Sequence, residues 1–194
     1  MKRVYFLRAF LCLSILFTTI CFLSIGGCAK YSEEVQANLD KLEATKSCSG
    51  CNLTGVELMK LDLTNANLTH ANLTNANLSR VNLTDANLTY ANLTNANLTN
   101  AILVKTKIVD ANLSKVKLSY ANINGSEISN VVFIDAHLNS TKIFNSNINN
   151  SDMTGANFYK AVLTKTKLTY NIFKDAIFCK TIMPAGLDNS GCKG

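Results

Sequence analysis

The stretch Leu63-Thr64-Asn65-Ala66-Asn67-Leu68-Thr69-His70-Ala71-Asn72-Leu73 decides the fold. Its Leu residues recur at every fifth position, and an Ala stands two places before Leu68 and Leu73. Followed outward from Leu53 to Phe178, every fifth residue is apolar, giving 26 centres without an insertion or deletion. They comprise sixteen Leu, five Ile (Ile108, Ile123, Ile128, Ile143, Ile148), four Phe (Phe133, Phe158, Phe173, Phe178) and Met153. The residue two before the centre is Ala in 13 cases and otherwise mostly Val, Ser or Thr. A strict period of five fits neither the 3.6 of an amphipathic helix nor the 2 of a strand. Repeats this short belong to solenoids that stack coil on coil.

The pattern resembles the pentapeptide-repeat family, whose motif is Ala-(Asp/Asn)-Leu-X-X, over residues 51–180. That resemblance implies an all-β fold, a right-handed quadrilateral β-helix in which four pentapeptides make one square coil. The 26 repeats then give about six and a half coils, roughly 31 Å of rod at the ~4.8 Å spacing of stacked strands. In such a rod the central Leu fills the interior, the Ala lets neighbouring walls approach, and Asn and Thr face water. The single Pro of the chain, Pro184, falls outside the repeat, where every amide is needed by the inter-coil ladder.

Ladder ends are open sheet edges and need covers. Ser32, followed by Glu33 and Glu34, reads as the N-cap of a short helix over residues 32–45, with Val35, Leu39 and Leu42 on one face. At the other end Ile182, Met183 and Pro184 terminate the repeat and are placed to cover the last coil. Two cysteine pairs flank the repeat: Cys48 with Cys51, and Cys179 with Cys192. A shared metal or redox site is disfavoured, because the pairs sit at opposite ends of a rod of roughly 31 Å, whereas bridged Cys have Cα atoms within about 7 Å. Local disulfides in an oxidising compartment and buried free thiols packed in the core both stay open.

Ahead of the repeat, Lys2, Arg3 and Arg8 precede an apolar run from Ala9 to Ile25 that ends in Gly26-Gly27-Cys28. This is the architecture of a signal peptide. It resembles the lipobox of bacterial lipoproteins, with Ile and Gly where that family favours Leu with Ala or Ser. The resemblance implies cleavage before Cys28 and a lipid on its thiol. An uncleaved anchor, or ordinary cleavage before an incidental Cys, are the alternatives, and all three carry the repeat out of the cytoplasm. Ala29 stands where inner-membrane lipoproteins of enterobacteria carry Asp, which favours the outer membrane. Four segments follow: residues 1–27 as signal peptide, 28–50 as lipid-attachment Cys, linker and capping helix, 51–180 as the repeat, and 181–194 as a C-terminal cap or tail.

Composition narrows the function. The chain of 194 residues is 47% apolar and only 16% charged, enough to build a core and to set disorder aside. Of the formal charge of +6, three cations belong to the signal region, leaving sixteen bases against thirteen acids. Nucleic-acid binders carry more, so no nucleic-acid partner is expected. The two histidines, His70 and His137, lie more than three coils apart, and His70 falls one coil from Tyr90 as a stacking pair. No Gly-rich phosphate loop, carboxylate pair or metal-spaced cluster appears. The residues therefore point away from an enzyme, a cofactor or a metal. The Asn-Leu-Thr triplets are formally glycosylation sequons but are generated by the repeat. Lysines such as Lys105, Lys107 and Lys115 fall one coil from Asp85, Glu127 and Asp135, which predicts cross-coil ion pairs.

Ile102, Val104, Phe144 and Val162 all face outward on one side of the square rod and form the candidate interaction face. The expected function is a non-catalytic, lipid-tethered interaction or structural scaffold at the bacterial envelope, with an unidentified protein partner. Dimerisation through the apolar C-terminal end, as members of the family do, is a further expectation. A secreted or host-directed interaction protein is the alternative. Some family members resemble DNA in shape and charge and act on DNA gyrase. Residues 51–180, with eight acids against twelve bases, have the wrong sign for that role.

Overall fold

The structure is a computed structural model that describes residues 30–192. The sequence-predicted lipidation site, Cys28, lies outside the described residues. From Tyr31 onward the described residues form one compact unit. Its core begins at Val35 and ends at Phe178, with the repeat centres stacked one above the other along it.

The period of five becomes a square solenoid with a register of twenty residues. Four parallel ladders record it. The first face pairs Asn52, Asn72, Asn92, Asn112, Val132, Asp152 and Ile172 in succession. The second runs from Glu57 to Ile177, the third from Asp62 through Ile102 and Lys142 to Ile182, and the fourth from Ser47 to Lys167, each in the same steps of twenty. Most rungs are single bridges. From residue 107 onward some lengthen into three-residue strands: β1 (Lys107–Val109), β2 (Asn122–Asn124), β3 (Glu127–Ser129), β4 (Lys142–Phe144), β5 (Asn147–Asn149) and β6 (Lys167–Thr169). The fourth face carries β1, β3, β5 and β6 in that order, and the third carries β2 and β4.

Each corner is a tight turn. The residue two after the centre sits in the left-handed region, as at Asn65 (φ 60°), Asn75 (59°) and Asn95 (59°). At most corners the next amide closes the turn, as Ala66 N donates to Leu63 O at 3.0 Å. A positive φ at the third turn position is the type II pattern, which Asn and Gly adopt at least cost. The Asn before each Leu has a separate task. Asn67 Oδ1 accepts from Thr69 N (3.2 Å) and Thr69 Oγ1 (2.8 Å), and the same clasp recurs at Asn72, Asn87, Asn92 and Asn97. The Asn-Leu-Thr triplets thus spend their polar groups on the wall, a local side-chain-to-backbone bond of the Asx type.

The helix expected over residues 32–45 is α1, Glu33–Thr45, with Ser32 as N-cap accepting from Val35 N at 3.3 Å. Val35, Leu39 and Leu42 face the core, and Lys46 ends the helix in the left-handed region with its N–H on Leu42 O. Glu33 and Glu34 in the first turn suit the helix dipole. Asn38 Nδ2 donates to Asn52 O (3.1 Å) and Glu57 N donates to the Tyr31 hydroxyl (2.9 Å). Edge groups of the first coil are satisfied in this way.

The far end is covered differently. β7 (Thr181–Met183) continues the third face beside Val162 and turns back into antiparallel β8 (Gly186–Asp188). Beyond it, Asn189 Oδ1 accepts from Lys180 N and Gly191 N donates to Phe178 O, each at 3.0 Å. A Cβ at Gly191 would lie 2.6 Å from Phe178 N, so only glycine permits this approach. The tail thereby covers the last rungs of the second and third faces. On the first and fourth faces the ladders end at Ile172 and at β6 among the described residues. Phe158, Phe173 and Phe178 fill the interior here, Phe158 stacked on Phe178 at 5.1 Å and Phe173 edge-on to both.

Candidate interaction surface

Residues twenty apart stand as neighbours on each face, so the surface of the solenoid is read column by column. Among the described residues no group of three or more His, Cys, Asp or Glu is placed to hold a metal ion. His70 stacks on Tyr90, the ring centroids 4.7 Å apart and the planes 14° from parallel. His137 stands on the second face, remote from that pair in the ladder order. Cys48 is bonded to Cys51 (Cα–Cα 5.2 Å) and Cys179 to Cys192 (Cα–Cα 4.6 Å). The first bridge joins the end of the helix linker to the first coil, and the second ties the tail to the last rung of the second face.

None of the cross-coil ion pairs expected for Asp85, Glu127 and Asp135 closes to within 4.0 Å among the described residues. Long exposed lysines gain little by fixing themselves beside a solvated acid. Other carboxylates of the wall accept from amide side chains one coil away. Asp110 accepts from Asn130 Nδ2 (2.9 Å), Glu57 accepts from Asn77 Nδ2 (2.7 Å), and Asp135 lies over Gly155, where a Cβ would come within 2.5 Å of its oxygen. The ion pair that does form, Lys46 with Asp62 at 3.2 Å, was not anticipated. Asp62 also takes the Asn role in the wall clasp, accepting from Thr64 Oγ1 (2.6 Å) and Thr64 N (3.0 Å). Those bonds, and then Lys46, lower its pKa from 3.8 to about 2.

The four apolar residues singled out in the sequence stand on the third face. Ile102 and Val104 flank Leu103 on one rung, Phe144 lies on β4 two rungs further, and Val162 on the rung after that. Ile102 is 41% exposed, while Val104, Phe144 and Val162 are half-buried. They are not one continuous patch, because β2 with Asn122 and Asn124 separates Ile102 and Val104 from the other two. Asn122 Oδ1 is buried there without a hydrogen-bond partner. The lower half extends further than sequence reasoning allowed. Ile182 continues the Val162 column, and Leu187 of β8 pairs beside it, 41% and 66% exposed respectively. The register already held that signal, since Ile182 follows Val162 by one coil.

A family described as pentapeptide repeats matches the chain in eight copies, over residues 47–85, 76–114, 111–150 and 146–183. The chain is a pentapeptide-repeat protein. Among solved structures it is similar to HetL, a pentapeptide repeat protein involved in heterocyst differentiation regulation from the cyanobacterium Nostoc sp. strain PCC 7120. That likeness has 23% identity and a TM-score of 0.35, and covers 76% of this chain and 96% of HetL. Rfr23 from the cyanobacterium Cyanothece 51142 is 28% identical, with a TM-score of 0.35 and 71% and 97% coverage. A trypsin-treated form of QnrB1, a plasmid-mediated fluoroquinolone resistance protein, is 14% identical, with a TM-score of 0.39 and 76% and 81% coverage. No curated protein matches the chain in sequence. Among the described residues no helix is long and apolar enough to cross a membrane.

Proposed function

We propose that this pentapeptide-repeat protein is a non-catalytic interaction scaffold of the bacterial cell envelope, held to a membrane by a lipid on Cys28 and docking through its third face. The exposed Ile102, with the half-buried Val104, Phe144 and Val162 on the same face, carries the docking part of this reading. The basic segment, apolar run and Gly-Gly-Cys ending at Cys28 carry the anchor. A rigid ladder holds such a face in a fixed geometry at little entropic cost on binding.

The intact mass and membrane fractionation of the full-length protein beside Cys28→Ala test the anchor. Cleavage before Cys28 with added acyl chains, lost in the variant, is the expected result. A cleaved, lipid-free protein in the culture supernatant would instead make it a secreted interaction protein. A homodimer through the C-terminal end is a second reading, favoured by the ladder ends at Ile172 and β6, which no further rung covers among the described residues. Light scattering at rising concentration reads that out directly.

A further inference from the structure

The ladders sort the charge of the C-terminal half by face. With each corner residue counted on the face it ends, the second and third faces between residues 101 and 180 carry Lys105, Lys117, Lys142, Lys160, Lys165 and Lys180 and not one acid. Asp135 and Asp175 stand at the corner between the first and second faces. The first and fourth faces carry Lys107, Lys115, Lys167 and Lys174 against Asp110, Glu127, Asp135, Asp152 and Asp175. Two adjacent walls therefore bear a charge of +6 while the two behind them bear −1. All six lysines of the basic pair are exposed, and among the described residues none lies within 4.0 Å of a carboxylate oxygen. The N-terminal coils show no such bias: residues 51–100 hold Glu57, Asp62 and Asp85 against Lys60 and Arg80.

The shared edge of these two walls has a definite chemistry. Tyr120, Ser140, Lys160 and Lys180 follow one another along it, with Lys142, Val162 and Ile182 in the next column of the third face. Tyr120 is 65% exposed, and Ile182 and Leu187 extend the apolar content to the tail. Lysines around the exposed Tyr120, Ile182 and Leu187, with Val162 half-buried among them, match a bilayer interface carrying anionic headgroups, where apolar tips sit at the acyl boundary and ammonium groups reach phosphate.

We infer that the edge between the second and third faces, in the C-terminal half, lies against an anionic bilayer surface. This rests on the third face as the docking face and names what docks there. The lipid on Cys28 would bring the chain to a membrane, and this edge would then set which side of the solenoid faces it.

The test uses residues 31–194, the compact unit that contains its own complete core, so that the anchor plays no part. Sedimentation with vesicles of phosphatidylcholine alone is compared with vesicles containing one part phosphatidylglycerol to two parts phosphatidylcholine, at low and high salt. Binding is expected only to the anionic vesicles, and it should weaken as salt rises. K142E/K160E/K180E should lose on the order of a hundredfold in partitioning, at about fivefold for each cation removed from an anionic surface. K107E/K167E/K174E makes the same change in net charge on the other two faces and should bind within about twofold of wild type at about 0.1 M salt, because screening confines the attraction to charges within about 10 Å of the surface. Lys→Gln at Lys142, Lys160 and Lys180 serves if the Glu variant loses its far-UV spectrum.

Absent binding to anionic vesicles at low salt, equal loss in both triple variants, or full binding by K142E/K160E/K180E would each overturn the inference. So would equal binding to neutral vesicles, or a protein cross-linked to this edge in cells while vesicles go unbound. A lipid-free Cys28 with face-specific vesicle binding would remove the anchor and leave this edge standing; the converse would leave the anchor and remove the edge.

Discussion

The coils before residue 101 close their corners by one hydrogen-bond plan, whereas those after it mix that plan with a second. In the first region the inward small residue is nearly always Ala or Val, and each corner is sealed by its own backbone, as Ala71 N on Leu68 O (3.1 Å) and Ala96 N on Leu93 O (2.9 Å) show. In the second region hydroxyls occupy several of those buried positions: Thr106, Ser126, Thr141, Ser146, Ser151, Thr166 and Thr181. Ser126 Oγ donates to Leu103 O (2.6 Å) on the coil above and accepts from Thr106 N (3.1 Å). Ser146 repeats the pattern with Ile123 O and Ser126 N. A side chain from the next coil thus replaces the bond within the turn. Strands β2 and β3 adjoin these opened corners, whereas rungs beside closed corners mostly stay single bridges. Repeats tolerate hydroxyls in the core because each has a carbonyl within reach, and in return adjacent coils are joined by side chains as well as by backbone.

The largest effect expected in this comparison is a core truncation in the uniform half. Leu98 is fully buried between Leu78 and Leu118 in its column, and Leu98→Ala should cost about 3 kcal/mol by urea unfolding, within the range for a buried Leu whose cavity cannot collapse. Ile128→Ala in the hydroxyl-bearing half tests whether the two regions unfold together. Similar losses from both variants in one cooperative transition would mark a single unit, while a second transition in either variant would mark a boundary near residue 101.

Ser126→Ala asks whether the two plans are interchangeable. Thr106 N loses its acceptor, and an unsatisfied buried amide costs about 1–3 kcal/mol. If the corner instead closes on its own backbone, Thr106 N donates to Leu103 O, the two groups that Ser126 Oγ had paired. The loss should then fall below about 1 kcal/mol, since one hydrogen bond replaces two and no buried group is left unpaired. Amide exchange at Thr106, read beside the unfolding free energy, separates the outcomes. Fast exchange with a large loss means that the hydroxyl is required, and slow exchange with a small loss means that the frame can switch plan.

The frame was legible because one residue in five is enough to declare it: Leu53 to Phe178 fixes register, the identity of every buried wall residue and the face on which Ile102 and Phe144 stand. Ser32 followed by Glu33 and Glu34 located α1 for a similarly local reason. What stayed hidden depends on contacts twenty or more residues apart. Ser126 looks like a small substitute for Ala until Leu103 O is seen beside it. Gly191 looks like tail until it lies against Phe178 N. The clasp of Asn67 on Thr69 was read as two residues facing water, because the triplet that makes it is also what the repeat must contain. The expected ion pairs failed for the opposite reason: proximity in the ladder was legible, but exposed Lys105 and Asp85 have no physical need to meet.

Asp62 offers the smallest and most specific test, at the N-terminal margin of the uniform half. It replaces the Asn of the wall clasp with a carboxylate, and Thr64 and Lys46 hold its pKa at about 2. A carboxylate whose pKa is lower in the folded state than the ordinary value of about 3.9 stabilises the fold above that value. Its contribution is lost as pH falls through about 4 toward 2, because protonation is then favoured in the unfolded chain first. Asp62→Asn keeps an acceptor for Thr64 and removes the titration, restoring the clasp of its neighbours Asn67 and Asn72. The variant's melting temperature should therefore decline less than that of wild type between pH 4 and pH 2, with the two curves nearly parallel at neutral pH. Curves that stay parallel through the acid range would mean that Thr64 and Lys46 do not favour the charged form over the neutral one, and the clasp at residue 62 would be no different from that at residue 67.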